Sequence, residues 1–240
     1  MKNILLLSTI SIATLLGFNS CKTVYEPNAV NVPLLNNHGE FRAYVDPSNV
    51  QVAYAITDHI GIMANGMRVT AETDNNTISG RGGLVEIGMG YFKPVNGFIF
   101  ETYAGGGMGM VKFSENRQEG NTTVVRNFSA DGMRFFIQPS FGYAGKYFEA
   151  ALTPRFCVGK YNNVQTNYTM QEQIDGKFYN INQPTWAFIE PALTLRGGYK
   201  WVKVQAQFGF SQNLNSQQLS YKSSFLNIGL VFDLNRSQEE

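Results

Sequence analysis

The chain has 240 residues and a formal net charge of +1, with no basic stripe, so charge gives no nucleic-acid surface. Charged residues make up only 15% of it, while it holds 24 glycines and 13% aromatics; an ordinary soluble domain carries roughly 25% charge. The length suits one β-barrel domain, and composition alone does not separate a membrane barrel from a soluble β-sandwich.

Met1-Lys2-Asn3 precedes an apolar run, Ile4 to Leu16. That is the pattern of an export signal, too short for a spanning helix of roughly 20 residues. Gly17-Phe18-Asn19-Ser20-Cys21 resembles a lipobox, with Phe18 where leucine is usual. Residues 1–20 are expected to be a lipoprotein-type signal peptide, with Cys21 the lipid attachment point. Residues 21–38 show no periodicity and carry Pro27 and Pro33, which reads as an extended tether. Lys22 follows the cysteine and no acidic run does. By resemblance to other lipoproteins, an acidic run would mark surface display, so the tether is expected in the periplasm.

From residue 39 to 234 apolar residues recur at every second position, the strand signal. Strands are expected near 39–46, 50–57, 60–70, 83–92, 97–113, 131–145, 147–159, 185–199, 201–212 and 222–234. The clearest alternation sets Val202, Val204, Ala206, Phe208 and Phe210 against Lys203, Gln205, Gln207, Gly209 and Ser211. Eight strands is the alternative count, and 235–240 is a polar tail. Short connections fall at 57–59, 93–97, 145–146 and near 199–200. Long polar ones fall at 71–82, 114–131, 160–184 and 212–222. Short turns on one side and long loops on the other describe a transmembrane β-barrel. Tyr91, Phe92, Phe98, Tyr143, Tyr147, Phe148, Tyr199 and Trp201 crowd the short-turn ends, where an interfacial aromatic girdle belongs. Pro139, Pro154 and Pro191 fall inside strands and are expected at bulges or rims. Asn65-Gly66 is a turn signal inside the third strand.

The stretch Asn31-Val32-Pro33-Leu34-Leu35, through Gly39-Glu40-Phe41 to Ala53–Gly66, resembles the outer-membrane β-barrel proteins of Bacteroidota. The resemblance implies an all-β, closed, antiparallel up-and-down barrel in the cell outer membrane, in the size class of OmpA-type and OmpX-type barrels. Its motifs are structural and name no reaction.

Signs of catalysis are sparse. The two histidines, His38 and His59, fall in the tether and in a short turn, away from the outer rim and the lipid-facing wall. A serine without an adjacent base is weakly activated. No phosphate loop, metal cluster or nucleotide fingerprint appears, so no enzyme, catalytic residue, metal or cofactor is expected. Cys157 reads as a strand-packing residue.

If the apolar set faces lipid, Arg42, Glu86, Glu101, Arg134, Glu149, Arg155, Glu190, Arg196 and Lys203 face the lumen. The opposite phase would place arginines and lysines in hydrocarbon at about 2–4 kcal/mol each. Strands 147–159 and 185–199, paired antiparallel, set Glu149 near Arg196 and Arg155 near Glu190. Those four residues, with Glu86, Arg134 and Lys203, are the expected ion pairs of a plugged lumen, since an unpartnered buried charge is costly. The function expected is a monomeric structural or surface-interaction barrel. Its partners would be outer-membrane lipid and an envelope protein or surface ligand met through loops 114–130 and 160–184. A narrow solute channel is the alternative. A soluble periplasmic β-protein binding an apolar ligand is the third reading, and it needs the apolar face inward.

Overall fold

The computed structural model describes residues 22–73, 77–199 and 201–234. The expected signal peptide, Cys21 and the 235–240 tail lie outside the described residues. Among the described residues eleven strands and one short helix follow in order: β1 (Phe41–Val45), β2 (Asn49–Ala55), β3 (Ile60–Glu72), β4 (Ile78–Val95), β5 (Phe98–Glu119), β6 (Thr122–Ala144), β7 (Phe148–Thr166), α1 (Met170–Asp175), β8 (Trp186–Tyr199), β9 (Val202–Phe210), β10 (Gln212–Asn213) and β11 (Ser224–Leu234).

Ten of the strands close into an antiparallel barrel. The first strand seals against the last, with Phe41 opposite Leu234 and Val45 opposite Leu230. The extra strand, β10, continues the register of β9 on β8. All ten expected strands are present, so the eight-stranded alternative falls. Two-residue turns join the long hairpins. Asn96 and Gly97 both have positive φ, 51° and 81°, as the tight turn favoured by Asn-Gly requires.

One expected loop is largely sheet, and the 160–184 loop is so only at its start. The 114–130 segment continues the β5–β6 ladder up to the pair Glu119–Thr122, and β7 runs on to Thr166. Polar residues dominate these extensions, and apolar ones such as Val124, Val125 and Phe128 are too few to set the alternation that marks a strand. Asn65-Gly66 makes no turn, because β2 and β4 pair with β3 on both sides of it.

The three prolines sit neither at rims nor at a bulge. Pro154 stands opposite Pro191, and the β6–β7 register sets Pro139 against Pro154, where that ladder has a gap. Two residues without N–H thus share one interruption, which costs less than two separate ones. Thr153 donates to Ser140 across the gap at 2.7 Å. Pro191 lies at the level of Phe210, where β9 stops; β10 begins after Ser211.

The two faces of the wall differ as the alternation requires. Outside, Ile87, Met108, Phe135, Leu152, Val204 and Ile228 are all exposed. Tyr91, Phe98, Tyr143, Tyr147, Phe148, Tyr199 and Trp201 are exposed at the short-turn end. Phe92 is the exception in the expected girdle: it turns inward and is fully buried with Leu34 and Ile99. Its position in the alternation puts it in phase with Glu86, not with Tyr91.

Candidate functional site

The lumen is filled by the chain's own N-terminal segment. Residues 22–38 are extended, as the lack of periodicity predicts, but they do not lead away from the barrel. They enter at the long-loop end, where Lys22 pairs with Glu115 at 2.7 Å and Val24 N donates to Ser220 O at 3.0 Å. They run through the interior to the short-turn end, where β1 starts. Ala29, Val30, Val32, Leu34 and Leu35 are at most 1% exposed. The expected tether is in this respect corrected to a plug. The physical reason is reciprocal need. An extended segment carries unpaired backbone groups, and the inward wall carries polar side chains without cross-strand partners.

The bonds match that need. Gln207 bonds Val30 twice, accepting from its N at 2.7 Å and donating to its O at 2.9 Å. Gln51 donates to Ala29 O and Gln138 to Asn31 O, each at 2.6 Å. Arg196 donates to Val32 O at 2.6 Å, and Leu34 N donates to Glu101 at 2.9 Å. Near the short turns the wall must come close. A Cβ on Gly142 would stand 2.7 Å from Leu34 Cδ2, and one on Gly61 would stand 2.9 Å from Leu35 Cδ1.

Every charged residue expected in the lumen is buried there. All but Glu101, which takes the Leu34 N–H, join two networks rather than two isolated pairs. In the first, Glu149 receives Arg196 at 3.0 Å, Arg42 at 3.0 Å and Lys203 at 2.8 Å. Lys203 also reaches Asp233 at 2.7 Å, and Arg42 bonds Asp233. In the second, Glu86 receives Arg134 at 2.7 Å and Arg155 at 2.9 Å. Arg155 faces Glu190 in register, yet their nearest charged atoms are 3.8 Å apart. Glu190 is held more closely by the plug, accepting from Tyr25 OH at 2.6 Å.

Sequence reasoning missed the members that turn pairs into networks. Asp233 is in phase with the lumen set on β11, and that phase could have found it. Asn28 has no such signal. Its amide donates to Glu86 at 2.8 Å and accepts from Arg155 at 2.8 Å and from Arg134.

The long-loop end is covered differently. Phe113 and Phe128 stack at 4.5 Å between ring centroids, and Phe178 packs edge-on to both. Helix α1 is tied to the β5–β6 extension by Glu172, which receives Arg117 at 2.6 Å and Arg126 at 3.2 Å. The Thr169 backbone N–H, donating to the Glu172 carboxylate, holds that carboxyl below its usual range, with Arg126 assisting. Thr169 and Glu172 together make a capping box.

No group of three or more His, Cys, Asp and Glu placed to hold a metal occurs among the described residues. His38 and His59 lie at the short-turn end, where His59 Nδ1 is 3.3 Å from Phe92 O. No described helix is long and apolar enough to cross a membrane, which leaves crossing by strands untouched. The chain matches no protein-family model and no curated protein sequence.

Proposed function

We propose that this protein is an outer-membrane barrel closed from within by residues 22–38, with a structural or surface-interaction role rather than a conducting or catalytic one. The observation that carries this reading is the plug itself. Wall side chains from β2, β5, β6, β8 and β9 bond its backbone, and the charges around it, Glu101 apart, are paired in networks. A solute path would need some of those groups free to face water.

The membrane setting is supported by the outward wall. Contiguous exposed apolar surface on this scale is rare on soluble monomers. On β4 the stretch from Arg81 to Lys93 rises about 30 Å at barrel tilt, enough for an apolar band of about 25 Å. Between them the outward residues include Val85, Ile87, Met89 and Tyr91. A soluble β-protein with an apolar interior would have the two faces reversed.

In this reading the β5–β6 extension and the 160–184 segment with α1 form the face offered to partners. The plug enters from that same side, so the chain around Lys22 belongs to the exposed face and not to the periplasm. An epitope inserted at Asn121 is then reached by antibody on intact cells; reach only after lysis reverses the orientation. Planar-bilayer recording of the purified protein tests closure. No stable conductance is expected, and well-defined open-channel steps would replace this reading with the narrow channel.

A further inference from the structure

Between the plug and the β3–β7 wall, above the charge networks, lies a cavity of about 120 Å³. Its inward wall positions are apolar or glycine: Met67, Val69, Leu84 and Val111, with Gly82 and Gly132 between them. The plug's Val24 and Tyr25 close one side, and Trp186 and Phe188 another. Three basic residues of that wall, Arg81, Lys112 and Lys160, sit in the outward phase of their strands and present backbone here.

Polar side chains that line the cavity are already committed. Arg134 bonds Glu86, Tyr25 and Asn28. Tyr25 OH donates to Glu190, Tyr161 OH to Val24 O at 3.1 Å, and Trp186 Nε1 to Ile181 O at 2.8 Å. Cys157 faces Glu190, and Glu26 pairs with Lys222. Thr23 also has a partner. The backbone of the wall is spent in its ladders. A water here would find few partners, whereas it needs two to four to be held. A dry apolar cavity of about 150 Å³ accepts a molecule the size of benzene.

We infer that this chamber binds a small uncharged apolar molecule, of the size of one ring or a short alkyl chain, admitted from the long-loop end. Recognition is chiefly by shape and apolarity, because the polar side chains of the lining are already bonded. The inference concerns the folded barrel and stands whether or not the barrel is membrane-embedded or closed to ions.

Trp186 lines the chamber and is buried, while Trp201 is exposed at the opposite end. A Trp201→Phe variant therefore makes Trp186 the sole tryptophan. In fluorinated surfactant, whose tails do not compete with hydrocarbon, 1-bromohexane should quench its fluorescence saturably. Gly82→Leu fills the chamber without strain, since a Cβ there meets nothing closer than Met110 O at 3.6 Å. In that background the apparent affinity should fall at least about tenfold. Gly132→Leu, whose Cβ meets only Tyr161 at 3.5 Å, should do the same. Heat-modifiable gel mobility checks that each variant keeps its barrel. Quenching that does not saturate, or that survives both fillings in folded barrels, overturns the site. Equal affinity for 6-bromohexanoate overturns its apolar class.

Discussion

The two ends of the lumen solve the problem of a barrel interior by opposite means. Toward the short turns and through the middle, charged and amide side chains are bonded to one another and to the plug, and apolar plug residues fill the rest. Toward the long loops, on the β3–β7 side, the wall is glycine and aliphatic, and the space is left open under an aromatic cover. The first region is held by many specific bonds around a few hubs. The second is held by aliphatic and aromatic packing, with ion pairs such as Lys22–Glu115 and Arg117–Glu172 only around its margin. Loss of one group should therefore matter far more in the first, while change of volume should be tolerated in the second.

The largest expected effect is at the first network's hub. Glu149→Ala removes the carboxylate shared by Arg42, Arg196 and Lys203. It should destabilise the barrel by about 3–5 kcal/mol, because buried cations lose their partner. Arg196→Ala should cost less, since Glu149 keeps two other cations. Denaturant unfolding monitored by gel mobility measures both. Equal effects would return the network to isolated pairs.

A smaller effect belongs to the plug's contact with the second network. Asn28→Ala leaves Glu86 and both its arginines short of one bond each. About 1–3 kcal/mol is expected, the usual cost of leaving buried polar groups unsatisfied. The same titration reads it. A neutral outcome would mean that the plug is not seated against Glu86.

The fold was legible in the chain because an apolar outer face and a polar lumen impose a strict period of two. Val202 to Ser211 alone sets the phase of its strand, and Glu149 and Arg196 on neighbouring strands meet by register arithmetic. Three things were not legible. The 22–38 segment pairs through backbone groups with distant side chains, such as Val30 with Gln207, and such bonds leave no periodic trace. The β5–β6 extension stands beyond the apolar band, so its residues need no alternation. Asn28 belongs to neither pattern, although two arginines and a glutamate converge on it.

Everything in this contrast depends on residues 22–38 occupying the lumen. In a Cys157→Ser background, cysteines at positions 30 and 207 replace the residues joined by the paired Val30–Gln207 bonds. A short bis-maleimide should link them in the folded barrel within one molecule, altering its mobility after boiling. Position 30 alone should resist a membrane-impermeant maleimide until the barrel is unfolded. Absence of the cross-link, together with ready labelling of position 30 in the folded protein, would put the segment outside the lumen and contradict the account.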